Sequence, residues 1–109
     1  MAVSSPFGST TRTRILVALE LLGQSYAREL GRLLQAPLSV VQKGISGLER
    51  DGLIVGRLMG RTRLFELNPR YYAEKELRAL LDKLAVAEPG IERRIAALRR
   101  RPRRTGKQL

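Results

Sequence analysis

The sequence predicts a mainly α-helical domain that carries one small β-hairpin. Three segments before residue 52 and two after residue 70 place apolar side chains at helical spacing. Between them, two short runs rich in β-branched and apolar residues meet at Met59-Gly60. A chain of 109 residues favours one compact domain. The predicted element order is therefore α-α-α-β-β-α-α.

Capping residues and apolar spacing define the first two helices. Helix one is predicted over residues 10–22, because Ser9, Thr10 or Thr11 can cap its start and Gly23 can end it. Its apolar side chains cover more than half of its circumference, so it requires more than one neighbouring element. Helix two is predicted over residues 26–34, where leucines again recur at helical spacing.

The third helix is predicted between a proline and a glycine. Pro37 suits a first helical turn, and Gly52 follows the last periodic residue. When the segment is wound at about 100° per residue, its buried face carries Val41, Ile45 and Leu48, with Leu38 at the edge.

The two strands are predicted within residues 52–58 and 61–67. If Met59-Gly60 forms the turn, Arg57 lies across from Thr62. The other expected pairs are Leu58–Arg61, Gly56–Arg63 and Ile54–Phe65. Ile54, Phe65 and Leu67 then share the face that packs on the helices.

Two helices and a basic tail complete the chain. Helix four is predicted over residues 71–87, with leucines at 77, 80, 81 and 84. Pro89 can open a shorter fifth helix. We expect residues 1–8 to be loose, residues 9–98 to form the domain, and residues 99–109 to be a disordered basic tail.

Composition excludes several kinds of site. The chain has no cysteine and no histidine, which removes disulfides, thiolate metal sites and the usual general base near neutral pH. No phosphate-cradling glycine loop or convergent carboxylate pair is present. We therefore expect no metal, no cofactor and no enzymatic activity. The start lacks a signal-peptide pattern and no run is long enough to span a membrane, so an intracellular protein is expected.

The charge points to a polyanionic partner. The net charge is +11, from 21 basic and 10 acidic residues. From Arg93 onward there are eight basic residues and no acidic one, which leaves only +3 on residues 1–92. Such a chain is expected to bind nucleic acid or an acidic membrane surface. A membrane role is weaker, since the fifth helix is short and lacks an aromatic anchor.

The segment RELGRLLQAPLSVVQKGISGLERDGLIVGRLMGRTRLFELN, residues 28–68, resembles winged helix-turn-helix transcription regulators of the ArsR/MarR type. The matching pattern is a helix, a turn, a recognition helix ending Leu-x-x-Leu-Glu-x-x-Gly-Leu, and a Gly-Arg-x-x-x-Phe/Tyr-x-Leu wing. The residues that carry it here are Ile45, Leu48, Glu49, Gly52, Leu53, Gly60, Arg61, Phe65 and Leu67. This resemblance implies a regulator that binds double-stranded DNA. The family usually has a glycine where Gln35 stands.

The exposed face of the third helix is the candidate base-reading surface. It carries short hydrogen-bonding groups and cations, which can pair with base edges in a major groove. The candidates are Ser39, Gln42, Lys43 and Ser46, with Arg50 on the backbone. An ordinary solvated helix face would also be polar. Gly44 and Gly47 would be explained by close helix packing or by close approach to a sugar-phosphate backbone.

The hairpin and the tail are candidate backbone contacts. Arginine at a hairpin tip can bind phosphates or enter a minor groove. The wing candidates are Arg57, Arg61, Thr62 and Arg63. The alternative is edge protection of an exposed strand. The tail would add phosphate contacts without sequence information through Arg99, Arg100, Arg101, Arg103, Arg104 and Lys107.

The family resemblance also implies a homodimer built from the first and last helices. The expected interface residues are Ile15, Leu19, Leu22, Leu77, Leu81 and Leu84. Alternatively, both apolar stripes are used up within one subunit. Three other functions stay open: an architectural, nucleoid-associated DNA binder with little sequence preference, an RNA- or ribosome-associated winged helix, and a protein-interaction adaptor. A small-molecule effector cannot be inferred from the sequence.

Overall fold

The computed structural model describes residues 6–100, with side chains described through residue 98. The five predicted helices and the hairpin are confirmed, and one short strand is added. The elements are α1 (Thr10–Leu22), β1 (Gln24–Tyr26), α2 (Ala27–Leu34), α3 (Leu38–Arg50), β2 (Ile54–Met59), β3 (Thr62–Leu67), α4 (Glu74–Val86) and α5 (Pro89–Arg100). None of the helices within residues 6–100 combines the length and apolar character needed to cross a membrane.

Helix α1 lies at the centre of the core. The Ser9 side chain caps it by accepting from the Arg12 amide, and Gly23 ends it with φ of 91°. Every side chain from Ile15 to Leu19 is fully buried, because α3, α4, α5, α2 and β3 surround the helix. The prediction that α1 requires several neighbours is confirmed.

The central position of α1 corrects the expected dimer interface. Ile15 and Leu19 are fully buried within the single chain, and so is Leu81 of α4, while Leu77 is 6% exposed. These four side chains form the core and cannot meet a second subunit. Leu22 and Leu84 are only half-buried. The apolar stripe of α1 is used within one subunit because this small domain is built around that helix.

Helices α2 and α3 pack as a pair joined by a short turn. Gln35 ends α2 in the left-handed region, with φ of 53° and ψ of 47°. This conformation explains why a glycine would be favoured there. Pro37 is the N-cap residue of α3 and not part of its first turn, and Asp51 is its C-cap. Gly52 follows with φ of 80° and directs the chain into β2.

The two glycines inside α3 face α1. A β-carbon on Gly44 would lie 2.8 Å from Cδ1 of Ile15, and one on Gly47 would lie 2.1 Å from Nη2 of Arg12. A larger residue at Gly44 would push the helices apart, so close helix packing explains that position. At Gly47 the space is instead filled by the end of the Arg12 side chain. Gly44 is buried against α1 and Gly47 beneath the Arg12 side chain, so neither is open to direct contact with a sugar-phosphate backbone.

The sheet has three antiparallel strands in the order β1-β3-β2. β1 pairs with β3 through Gln24–Glu66, Ser25–Phe65 and Tyr26–Leu64. Ser25 is buried, and its hydroxyl donates to Oε1 of Glu29 at 2.6 Å. The sequence did not predict β1, because three residues are too few to show strand alternation.

The hairpin turn lies one residue later than predicted. Met59 pairs with Thr62 and Arg57 with Leu64, so the two loop residues are Gly60 and Arg61. Of these two, only Gly60 has a positive φ, 69°, as in a turn of type II′. The predicted pairs were therefore wrong, and the observed ones are Leu58–Arg63, Gly56–Phe65 and Ile54–Leu67. The prediction that Ile54, Phe65 and Leu67 share the face that packs on the helices is confirmed, because all three are buried.

The last two helices close the far side of the core. Helix α4 begins three residues later than predicted, since residues 68–73 form turns in which Asn68 Oδ1 accepts from the Arg70 amide at 2.9 Å. In α5, Ile91 and Ile95 are buried, and Nε of Arg94 donates to the Leu33 carbonyl. Helix α5 extends to Arg100, two residues past the predicted domain boundary. The side chains of Arg99 and Arg100, and the predicted tail residues Arg101, Arg103, Arg104 and Lys107, lie outside the described residues.

Candidate nucleic-acid interface

The solvent face of α3 carries the predicted base-reading residues. Ser39, Gln42, Lys43, Ser46 and Arg50 are all exposed. Within residues 6–98, none of these five side chains makes a hydrogen bond or an ion pair. The opposite face packs Val41, Ile45 and Leu48 into the core. The helix is thus fixed on one side while its polar groups remain free to bind a partner.

The wing lies beside this face. Gln42 and Ser46 of α3 line one wall of an open groove of about 650 Å³, and Arg61 and Thr62 of the hairpin line the other. Ile45 and Phe65 contribute to its lining, and both belong to the core cluster. The structure therefore brings the helical candidates and the hairpin-tip candidates to one side of the molecule.

Arg63 connects the wing to α3. Its Nη1 and Nη2 donate to Oε1 and Oε2 of Glu49 at 3.2 and 2.5 Å. The guanidinium carbon also lies 5.0 Å from the centre of the Phe65 ring. Gly56 makes room for this arrangement, since a β-carbon there would lie 2.7 Å from both Nη2 of Arg63 and the ring. Arg63 is therefore occupied in positioning the wing and is not a free cation at its tip.

Arg57 lies on the other face of the sheet. Side chains alternate along a strand, so Arg57 points away from Gly56 and away from the helical core. Its guanidinium is 3.7 Å from Oε2 of Glu66 and donates to Oε1 of Gln24 at 3.3 Å. The expectation that Arg57 joins the other wing arginines at one surface is therefore corrected by the observed strand register.

Arg61 and Thr62 are the exposed residues of the hairpin tip among the candidates. Arg61 occupies the second loop position after Gly60. Neither Arg61 nor any of the free α3 side chains has an acidic partner among the described residues. Of the four predicted wing residues, the part of the chain that the structure describes thus leaves Arg61 without a partner on the side where α3 exposes its polar groups. Thr62 also lines the groove, although the strand register puts its side chain on the sheet face of Arg57.

Sequence reasoning missed two further cations. Arg28 and Arg32 of α2 are exposed, line the same groove, and have no ion pair within the described residues. Their i, i+4 spacing, which places two side chains on one helix face, was a usable signal. The candidate surface therefore includes the hairpin tip, the outer face of α3 and one face of α2.

The described residues contain no candidate metal site. Within residues 6–98, no group of three or more acidic side chains could hold a metal ion, and the chain has no cysteine or histidine. The side chains that the site does offer are amide, hydroxyl, ammonium and guanidinium groups. These groups suit recognition of base edges and phosphates.

Comparison with known proteins identifies the architecture. No protein-family model and no curated protein matches the sequence. Among solved structures, HlyU from Vibrio cholerae N16961 is 26% identical over 70% of this chain and 74% of its own, with a TM-score of 0.57. HlyU from Vibrio vulnificus CMCP6, described as a transcriptional regulator, is 25% identical over 72% and 76% of the two chains, with a TM-score of 0.60.

A repressor shares the fold at lower identity. The adhesin competence repressor AdcR from Streptococcus pyogenes is 19% identical over 80% of this chain, with a TM-score of 0.62. This chain covers 64% of the length of AdcR. These likenesses confirm the resemblance drawn from the sequence: the chain has the winged-helix fold and resembles transcription regulators of the ArsR/MarR type.

Proposed function

We propose that the chain is a transcription regulator that binds double-stranded DNA, with α3 in the major groove. The observation that carries this proposal is the row of five exposed side chains on α3 that have no partner within the described residues. Polar groups without internal partners are free to exchange hydrogen bonds with water for hydrogen bonds with a ligand. The likeness to solved transcription regulators supports the same reading.

The proposed reading residues have the chemistry that base edges require. A Gln side chain can pair with N6 and N7 of adenine, and a Lys side chain can donate to O6 and N7 of guanine. Gln42 and Lys43 would take these roles, with Ser39 and Ser46 contacting bases or phosphates. Arg50, near the end of α3, would bind the backbone.

The wing and the tail would supply contacts that do not depend on sequence. Arg61 and Thr62 at the hairpin tip would contact the backbone or enter the minor groove. Arg63 would act indirectly by holding the wing against Glu49. The six basic residues of the predicted tail, residues 99–109, would strengthen attraction to phosphates. This tail is also the feature that favours the second candidate function, an architectural DNA-binding protein.

We further propose a homodimer, but with a different surface from the one expected from the sequence. Apolar side chains exposed on α4 include Leu80 at 42% and Val86 at 78%, and the half-buried Leu22 and Leu84 belong to α1 and α4. Two copies related by a two-fold axis would place two α3 helices on successive major grooves. Sedimentation equilibrium of the wild type and of Val86→Glu tests this interface, and a wild-type monomer at all concentrations would overturn it.

Selection from a randomised duplex pool tests the proposed function. The purified protein is mixed with the pool at ~150 mM salt, which suppresses much non-specific attraction, and the retained DNA is sequenced. Enrichment of a two-fold-symmetric motif is expected. Retention without enrichment would favour the architectural function, and absence of retention would overturn DNA binding.

A further inference from the structure

Arg12, in the first turn of α1, lies along the flank of α3 that faces away from the wing. Its guanidinium occupies the space that a side chain at Gly47 would fill. Nη1 lies 3.4 Å from Oδ2 of Asp51, the C-cap residue of α3. Asp51 and Glu49 are two residues apart on a helix of ~100° per residue, so they point to nearly opposite flanks. The end of α3 is thus bordered by Arg12 on one flank and by Arg63 on the other.

Arg12 extends the free positive charge of α3. Gly47 follows Lys43 by four residues and precedes Arg50 by three, so all three positions lie on neighbouring parts of the helix surface. Lys43 and Arg50 are exposed and have no ion pair within the described residues. The guanidinium therefore covers a helix position that neighbours the positions of two free cations. A strip of like charge on one helix flank is the electrostatic pattern that binds phosphates.

The position of Arg12 is held by the backbone around it. Gly8, with φ of 103°, turns the chain so that a β-carbon there would lie 3.3 Å from Nη1. The same nitrogen is 3.5 Å from the Phe7 carbonyl. The guanidinium is therefore cradled between Gly8 and Gly47, yet the side chain is still 26% exposed. A cation held in this way loses little conformational freedom when it binds an anion.

The ion pair with Asp51 is weak enough to be exchanged. Asp51 is 52% exposed, and its separation from Arg12 is long for a charge-assisted hydrogen bond. An exposed pair of this kind contributes little to stability. A carboxylate at the C-terminal end of a helix is also unfavourable beside the helix dipole. A phosphate approaching α3 would meet a cation whose present partner is easily displaced.

We infer that Arg12 is a DNA phosphate-binding residue that adds α1 to the interface, and that Asp51 is the counter-ion that the phosphate displaces. This inference rests on the proposed function. A purely structural reading makes Arg12 only a clamp between α1 and the end of α3. The two readings differ in the salt dependence of DNA binding.

The test compares Arg12→Gln with Arg14→Gln. Both variants remove one charge from α1, but Arg14 pairs with Glu88 at 3.5 Å, at the start of α5. Affinity for a labelled duplex of random sequence is measured by fluorescence anisotropy at several salt concentrations. We expect the slope of log affinity against log salt to fall by about one for Arg12→Gln and to stay unchanged for Arg14→Gln. A wild-type slope in Arg12→Gln would overturn the inference, even if the variant unfolds more easily.

Asp51→Asn provides an independent measurement in a chain that keeps Arg12. Removing the counter-ion and its repulsion of phosphate should raise the affinity at least about twofold. An unchanged or lower affinity would contradict the inference. If the wild type shows no salt-sensitive duplex binding, the proposed function fails, and this inference falls with it. If the wild type binds DNA and both the Arg12→Gln and Asp51→Asn variants bind as it does, the proposed function stands and only the role of Arg12 is rejected.

Discussion

Arg63 of β3 and Glu49 of α3 form a bidentate ion pair with N–O distances of 3.2 and 2.5 Å. This pair holds the wing against the third helix. The pair follows from strand alternation, which turns Arg63 to the same face as Phe65. The side chains are 48% and 26% exposed, so solvent screens part of the attraction. This contact sets the spacing between the two surfaces that we propose to touch DNA.

Arg63→Ala should lower the free energy of unfolding by about 1 kcal/mol, because it removes both the ion pair and the cation–π contact with Phe65. Urea denaturation measures the change. Arg61→Ala is the control and should stay within about 0.5 kcal/mol of the wild type. A double-mutant cycle with Glu49→Ala isolates the pair. Zero coupling in that cycle would mean that Arg63 does not position the wing.

Gly56→Ala should destabilise the protein by about 1–3 kcal/mol, as overpacking does. The added carbon would lie 2.7 Å from the Phe65 ring and from Arg63. Gly90→Ala in α5 is the matched control, since the nearest atom would lie 3.4 Å away and alanine favours the helix. Thermal unfolding of both variants decides the matter. Equal effects would show that the tight contact beneath the wing is absent.

Arg61→Ala should weaken binding to cognate and random duplexes about equally and lower the salt slope by about one. The reason is that Arg61 has no acidic partner within the described residues. Arg57→Ala removes the same charge from the same hairpin, but from a side chain paired with Glu66 on the far sheet face. Its slope should match that of the wild type. The reverse ranking of the two arginines would place the opposite face of the wing on DNA.

Glu20 should make stability depend on pH. Burial raises the pKa of Glu20 above its ordinary value of 4.5, and a hydrogen bond with Asp82 adds to the rise, while Arg78 opposes it. A carboxyl group with a raised folded pKa contributes its full stability below pH 4.5 and loses it as the pH climbs through the folded pKa.

Glu20→Gln removes this titration. The unfolding free energy of the variant, minus that of the wild type, should therefore grow as the pH rises from 4.5 toward neutrality and then level off. Chemical denaturation across this pH range measures the difference. Glu76→Gln, an exposed change on α4, should track the wild type. A difference that is constant with pH would rule out the raised pKa.

The helices were predictable because their signals are local. Ser9, Gly23 and the leucine spacing are read within a few residues of the element they define. The strand register had no such local signal. It depended on whether Gly60 occupies the first or the second position of the loop, and Gly60 occupies the first. Because the loop lies one residue later than predicted, the cross-strand partner of Arg57 is Leu64 and not Thr62.

The remaining errors concern tertiary partners. β1 forms because Ser25 and its two neighbours pair with β3. A segment of three residues is too short for its sequence to predict this pairing. The apolar stripe of α1 predicts burial but not what buries it. A dimer contact of Ile15 and Leu19 therefore cannot be distinguished by sequence from their actual place in the core. Exposure of the α3 residues was predictable, whereas the pairing of Arg63 with Glu49 required the folded arrangement.

The most direct test of the account replaces Gln42 and Lys43 together with alanine and measures affinity for the selected motif and for random duplex. Each base contact is worth about 1–3 kcal/mol, so cognate binding should fall about tenfold or more while random binding falls much less. Arg70→Ala, in the exposed turn before α4, controls for the lost charge. It should lower the affinity for the two duplexes equally, if at all. Equal loss on both duplexes in the double variant would contradict the claim that α3 reads DNA sequence.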